Sequence, residues 1–304
     1  MTPILRDIPR ETLRGYLFIV LAAFCWGGIG PVSRYAFSQG MAPLEVAFWR
    51  ALFGWIVFGL HAVRMRQTRV KRRDLPWVLF FGLWGVSLFY GSYLLAIEHG
   101  GAALAAILLY TAPLWVAILA RIFLGEKLNP LKILCVLLGM VGVAAVALGQ
   151  GNGQTGGVSA VALGWGLLAG FLYGVYYIFG KRFLRSYATP TLFLYALPVG
   201  VLGLAPFIRI EFPSPGALLA VLYLAVISTF AAYSLNYAGL KRLESSRAAT
   251  VATIEPVIAG AVAWAWWGET FTIWGYLGSG LILLGVVLLV ASSRVDGANL
   301  PRGR

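Results

Sequence analysis

Charge is what this chain has least of. Asp, Glu, Lys and Arg make up 12% of its 304 residues, against 60% hydrophobic ones. Soluble domains carry about 25% charged residues, so an ordinary water-soluble fold is excluded. Histidine and cysteine are almost missing, with two of each. His61 and His99 stand apart, and Cys25 and Cys135 fall inside apolar stretches. That leaves no metal-ligand spacing and no disulfide framework. No G-x-S-x-G, H-E-x-x-H or phosphate-binding glycine loop occurs. Neither a cofactor nor a metal is expected, and no ATP-driven mechanism. A membrane-embedded enzyme stays as an alternative, without an acid–base constellation to support it.

Acidic residues are also scarce, 11 against 24 basic ones, for a net charge of +13. Such a balance can mark a nucleic-acid binder. Here the basic residues sit between apolar segments instead of along one face, so no nucleic-acid partner is expected. Loops obeying the positive-inside rule account for the pattern.

What is present is a series of apolar runs about as long as a bilayer is thick. Ten spans are expected, near 15–37, 43–63, 75–97, 101–121, 130–149, 158–180, 190–209, 217–239, 247–268 and 273–293. With the N-terminus inside, every basic residue except Arg34, Arg50 and Arg209 falls in an inside segment. Both termini are therefore expected to be cytoplasmic, in the cell (inner) membrane. The Gly/Asn/Gln stretch 150–157 reads as a linker. Asn129-Pro130 reads as an N-cap and first helical residue, and Thr272 as its counterpart. Glu126 and Glu269 precede those helix starts, where the helix dipole favours negative charge.

The chain also repeats itself. Tyr90–Val143 lies over Tyr233–Val286 at an offset of 143 residues without a gap. Pro113 falls on Pro256, and Gly125-Glu126 on Gly268-Glu269. Five spans per half make the two copies, 15–149 and 158–293, inverted in the membrane. Inverted repeats are a common plan for secondary transporters, with the site where the repeats meet.

Further pieces carry a family likeness: Phe24-Cys25-Trp26-Gly27-Gly28, Phe48-Trp49-Arg50, Leu124-Gly125-Glu126 and Trp267-Gly268-Glu269. In their order and spacing they resemble the EamA-like transporters of the drug/metabolite transporter superfamily, over about 15–292. The resemblance implies an all-α bundle of ten transmembrane helices in two inverted five-helix repeats. It implies a central cavity lined by spans one, three, four, six, eight and nine. It also implies transport of a small molecule, foremost the export of amino acids and related metabolites. Nucleotide sugars and cationic drugs remain alternatives. Oligomeric state is not legible, and Gly170-x-x-x-Gly174 reads as close packing within one bundle.

Thr229, Tyr233, Asn236 and Tyr237 share one helix face at spacing i, i+4, i+7, i+8. Polar groups facing lipid are costly, so this stripe should face protein or a water-filled cavity. Tyr90 and Tyr93 hold the corresponding face of span three. Trp26, Tyr110, Tyr173 and Tyr177 add rings with one polar atom each, suited to amphipathic substrates. These ten residues are the expected substrate contacts. Two charges lie within the spans, Arg50 and Glu255. Arg50 could meet a substrate carboxylate, fasten its helix to backbone carbonyls, or snorkel outward. Glu255 could couple protons, balance an amino group, or anchor backbone. Pro113 and Pro256 are expected to kink their helices.

Overall fold

The computed structural model describes residues 9–149, 160–267 and 272–298. The described residues are helical throughout, joined by short turns, without a strand. The chain runs α1 (Arg10–Gly27), α2 (Ile29–Ser38), α3 (Pro43–Arg64), α4 (Leu75–Gly82), α5 (Phe89–Leu109), α6 (Ala112–Phe123) and α7 (Pro130–Gly149). After the linker region come α8 (Ala160–Phe183), α9 (Thr189–Leu204), α10 (Pro215–Tyr223), α11 (Ala232–Arg242), α12 (Ser245–Ala252), α13 (Glu255–Trp267) and α14 (Ile273–Ala298). The expected linker 150–157 and Glu269 lie outside the described residues.

Among the described residues, eight helices are long and apolar enough to cross a bilayer, and Pro130–Val146 is a shorter apolar one. The ninth expected span falls into two pieces, because the helix stops at Thr253-Ile254 ahead of Pro256. Proline has no N–H to give and crowds the preceding turn. The first half breaks in the same way at Tyr110-Thr111, ahead of Pro113. Both proline kinks are thus present. Hydroxyls hold each break: Thr111 Oγ1 donates to the Leu108 carbonyl and Thr253 Oγ1 to the Thr250 carbonyl, both at 2.6 Å. One boundary differs from expectation. The expected separation of spans three and four at residues 98–100 is absent: helical hydrogen bonding carries α5 through Gly100-Gly101, and the chain breaks at 110–111 instead.

Lipid offers no hydrophobic drive between helices, so close packing of small residues must hold such a bundle. A Cβ on Gly142 of α7 would sit 2.6 Å from the Gly278 carbonyl of α14, and Gly278 is as tight in return. Gly174 of α8 meets Trp115, and Gly166 and Gly170 meet Leu108, so the expected small-residue face of α8 packs inside the bundle. Phe58 of α3 stacks on Phe193 of α9 with centroids 4.7 Å apart. Large apolar side chains such as Leu60, Phe123, Leu202, Phe207 and Leu219 point outward, as a lipid-facing surface requires.

The caps follow local rules. Asn129 Oδ1 accepts from the Lys132 N–H at 2.8 Å. Thr272 Oγ1 accepts from the Gly275 N–H at 3.4 Å. Glu45 Oε2 accepts from the Ala42 N–H at 2.8 Å, which explains an acid at the start of α3.

Candidate functional site

Two helical segments are wound more loosely than the rest. Leu83–Leu88 and Leu224–Ala231 are π-helical, and the 143-residue offset lays the first on residues 226–231 of the second. Such segments loosen the backbone ladder and often mark functional sites. In the second one the Ser228 carbonyl accepts from Trp26 Nε1 at 3.1 Å and from Arg50 Nη2 at 3.0 Å. The Ser228 hydroxyl donates to the Cys25 carbonyl at 2.8 Å, and Arg50 Nε donates to Thr229 Oγ1 at 2.7 Å. One turn of backbone therefore ties α1 and α3 together. Arg50 is nearly buried, and its guanidinium also lies over the Tyr90 ring, 5.9 Å from the centroid.

Beyond this knot lies a cluster of aromatic rings. Tyr233 meets Trp26 edge-on at 5.7 Å and Tyr176 at 5.4 Å. Tyr173 meets Tyr177 at 5.5 Å and stacks on Phe89 at 5.5 Å. The Tyr233 and Tyr90 hydroxyls face each other. Glu255, the first residue of α13, has the Tyr110 hydroxyl beside its carboxyl. Tyr93, Tyr173, Tyr177 and Arg50 all lie within its electrostatic reach. The break at Thr253-Ile254 allows this, since a continuous helix would turn Glu255 away from the neighbouring face. Arg50 and Glu255 thus bring one basic and one acidic group to the same set of tyrosines.

The twelve residues singled out in the sequence divide into two groups. Tyr90, Tyr93, Tyr110, Tyr173, Tyr233 and Glu255 are partly exposed on inner faces of the bundle. Trp26, Arg50, Tyr177, Thr229, Asn236 and Tyr237 are buried. Thr229 is spent on Arg50, and Tyr237 packs against Tyr176 and Phe193. Sequence reasoning missed Ser228 and Tyr176. Tyr176 follows Tyr173 at i+3, a spacing that puts both on one helix face. Ser228 carried no signal, because its role depends on the π-helical turn.

The end of the bundle rich in Lys and Arg is laced with hydrogen bonds between helices. After α6, Gly125 adopts φ +71°, a left-handed conformation natural to glycine, and the Glu126 N–H bonds back to the Ala120 carbonyl at 3.1 Å. This turn sends Glu126 not to its own next helix but across to α12. Its carboxylate accepts from the Ser245 N–H at 2.5 Å, the Ser246 N–H at 3.1 Å and Ser246 Oγ at 2.7 Å. The dipole reading holds in kind, but the helix served belongs to the other half. Beside it, Lys132 Nζ donates to Glu244 Oε2 and to the Lys127 carbonyl, and Arg247 Nε donates to Glu244 at 3.0 Å. Lys181 Nζ donates to the Leu240 carbonyl at 2.7 Å and to that of Leu243. Near the opposite end a cleft of about 870 Å3 opens among Phe24, Pro31, Tyr35, Tyr223 and Val262.

The comparisons agree with this architecture. The EamA-like transporter family matches twice, over residues 13–148 and 160–291. An uncharacterized inner membrane transporter of Salmonella typhimurium, YicL, is 28% identical over 93% of this chain and 97% of its own length. A probable terminal-alkyne amino-acid exporter of Streptantibioticus cattleyicolor is 26% identical over 89% of this chain and 91% of its own. A protein of known crystal structure, 17% identical, shares the fold with a TM-score of 0.79 over 90% of this chain and 95% of that one. Apolar helices and a family match that occurs twice along nearly the whole chain lead to one statement: this chain is a multi-pass membrane transporter that belongs to the EamA-like transporter family.

Proposed function

We propose that the protein is a secondary transporter that exports amino acids or related zwitterionic metabolites by alternating access. The observation that carries this reading is one cluster of tyrosines that holds both a basic group, Arg50, beside Tyr90 and an acidic one, Glu255, beside Tyr110, with the chamber for the substrate between them. A zwitterion presents one carboxylate and one ammonium. Arg50 suits the first, and Glu255 suits the second. The tyrosines supply hydroxyls for orientation and ring faces for an apolar side chain. The amino-acid exporter among the relatives supports the same class.

The ten-span arrangement belongs to this proposal: two inverted repeats, 15–149 and 158–293, around a linker at 150–157, with both termini cytoplasmic in the inner membrane. Inversion lets the halves exchange shapes about a fixed site. The transport residues are Trp26, Tyr90, Tyr93, Tyr110, Tyr173, Tyr177, Thr229, Tyr233, Asn236 and Tyr237, with Arg50 and Glu255 as the charges. Transport and not catalysis is the role of the chamber. A cationic amphiphile is the second reading, favoured by a carboxylate among aromatic rings; Arg50, a like charge nearby, counts against it. The test is counterflow in liposomes with radiolabelled amino acids, nucleotide sugars and cationic drugs. Counterflow of cationic drugs with none for any amino acid would replace the first reading with the second.

A further inference from the structure

A tight turn joins α6 to α7, but the two helices barely pack on each other. α6 lies against α8 and α12, and α7 mostly against α14. Between α6 and α7 a groove of about 210 Å3 is left at the basic end of the bundle. Its walls are Leu114 and Ile118 of α6 and Ile133 and Leu137 of α7, each more than a third exposed. Its floor is α12, through Ser246 and Thr250.

The polar atoms of this lining are already engaged. Ser246 Oγ donates to Glu126 Oε2 at 2.7 Å, and Thr250 Oγ1 donates to the Ser246 carbonyl at 2.9 Å. Lys132 also lines the groove, but its Nζ is held by Glu244 and the Lys127 carbonyl, which leaves the methylene stem as surface. The groove offers hydrocarbon contact and no spare hydrogen bond, so a polar solute would lose its hydration there for nothing.

The mouth is different. Arg121 follows Ile118 by three residues and Leu114 by seven, a spacing that keeps all three on one face of α6. Lys127 precedes Leu128, another lining residue. Both side chains are exposed, and among the described residues neither has an ion pair. Two cations thus stand at the end of an apolar slot about 10 Å long, from Leu114 to Arg121 at 1.5 Å per residue. Two helical turns are too short a seat for a neighbouring transmembrane helix, but they match part of one lipid chain. Basic pockets between transmembrane helices suit anionic head groups.

We propose that this groove binds one anionic phospholipid. The acyl chain lies between α6 and α7, and Arg121 and Lys127 hold the phosphate. Glu126, Ser246 and Lys132 tie the two halves together at the same place, so the bound lipid stabilises their docking.

Native mass spectrometry of the full chain in neutral detergent tests this, with dioleoyl phosphatidylglycerol and dioleoyl phosphatidylcholine as probes. The first phosphatidylglycerol should bind at least tenfold more tightly than phosphatidylcholine. Arg121→Gln with Lys127→Gln should abolish that preference. Arg69→Gln with Arg72→Gln, an exposed basic pair between α3 and α4, should change it less than threefold. Equal binding of the two lipids, or equal loss in both variants, would overturn the site. Binding of sn-glycerol 3-phosphate as tight as that of the lipid would also overturn it, since the groove would then play no part. A lipid-free dimer that the lipid breaks up would put a second copy in the groove instead. Phosphatidylglycerol with a photoreactive acyl chain should crosslink to Leu114, Ile118, Ile133 and Leu137. Crosslinks spread evenly over outward residues such as Leu60, Leu202 and Leu219 would mean ordinary solvating lipid and sink the proposal. Phosphatidylglycerol should raise the melting temperature of the native protein and not that of the Arg121→Gln, Lys127→Gln variant. An equal rise in both would refute the stabilised docking.

Discussion

Lys132 Nζ reaches Glu244 Oε2 at 2.5 Å, joining α7 of the first half to the turn between α11 and α12 of the second. Burial works against ionising Glu244, but Lys132 and Arg247 outweigh it and hold the carboxyl below its ordinary value of 4.5. A depressed carboxyl stabilises the fold above its unfolded pKa and loses that contribution as pH falls through the folded one. The melting temperature in detergent should therefore drop as pH is lowered below about 4.5. Glu244→Gln should remove part of that drop and cost roughly 1–2 kcal/mol at neutral pH, since the nearly buried Lys132 loses its charge partner while Glu244 itself is more than a third exposed. An unchanged acid limb in the variant would assign the loss to other groups.

Arg50→Met should cost about 2–3 kcal/mol, the usual worth of hydrogen bonds from a buried charge. Thr229→Val removes one acceptor and should cost about 1 kcal/mol. The two share a bond, so the double variant should lose less than their sum. Chemical or thermal unfolding of the four proteins measures this coupling. Strict additivity would show that the 2.7 Å contact contributes little.

Glu255→Gln tests the other charge. Probes that carry an ammonium should show KM raised at least tenfold, while analogues lacking the amine should be unaffected. Transport followed across the pH range separates this from proton coupling, which demands loss of proton-driven accumulation with substrate exchange kept. A variant that accumulates every probe normally at every pH gives Glu255 neither role.

Much of this was legible in the chain. Asn129 and Thr272 were readable as caps because capping is local, decided within three residues. The breaks ahead of Pro113 and Pro256 follow from one missing N–H each. Glu126 was harder. Its position after a glycine turn was visible, but its partners at Ser245 and Ser246 lie 119 and 120 residues away and depend on how the halves dock. The polar stripe from Thr229 to Tyr237 was read at α-helical spacing. The π-helical segment changes that register, so Thr229 turns to Arg50 while Tyr233 turns to the rings of Trp26 and Tyr176.

Orientation can be checked directly. Gln39→Cys and Arg72→Cys fall in exposed turns at opposite ends of α3. In intact cells an impermeant thiol reagent should label the first and spare the second. Labelling of both from outside would reverse the topology argued from basic residues.

Packing between α7 and α14 gives a stability test independent of transport. Gly142→Leu would drive a side chain into the Gly278 carbonyl, already 2.6 Å from a Cβ at that position. Overpacking of this kind typically costs about 1–3 kcal/mol, and here the obstacle is backbone, which cannot step aside. A fully stable Gly142→Leu protein would mean that the two helices separate more easily than their contact suggests.

The paired π-helical segments have an energetic consequence. On the alternating-access reading, the two halves trade conformations, and each carries the same irregular turn at the same place in its copy. Both turns are loose in one conformation, so an exchange of shapes between the halves leaves the number of loose turns unchanged and adds no bias of its own. A molecule bound between them needs only a small preference to tip the balance, and a few kcal/mol of differential affinity suffices for a nearly complete swing. Duplication, in this view, did more than double a fold: it cancelled the bias that a single copy would have had.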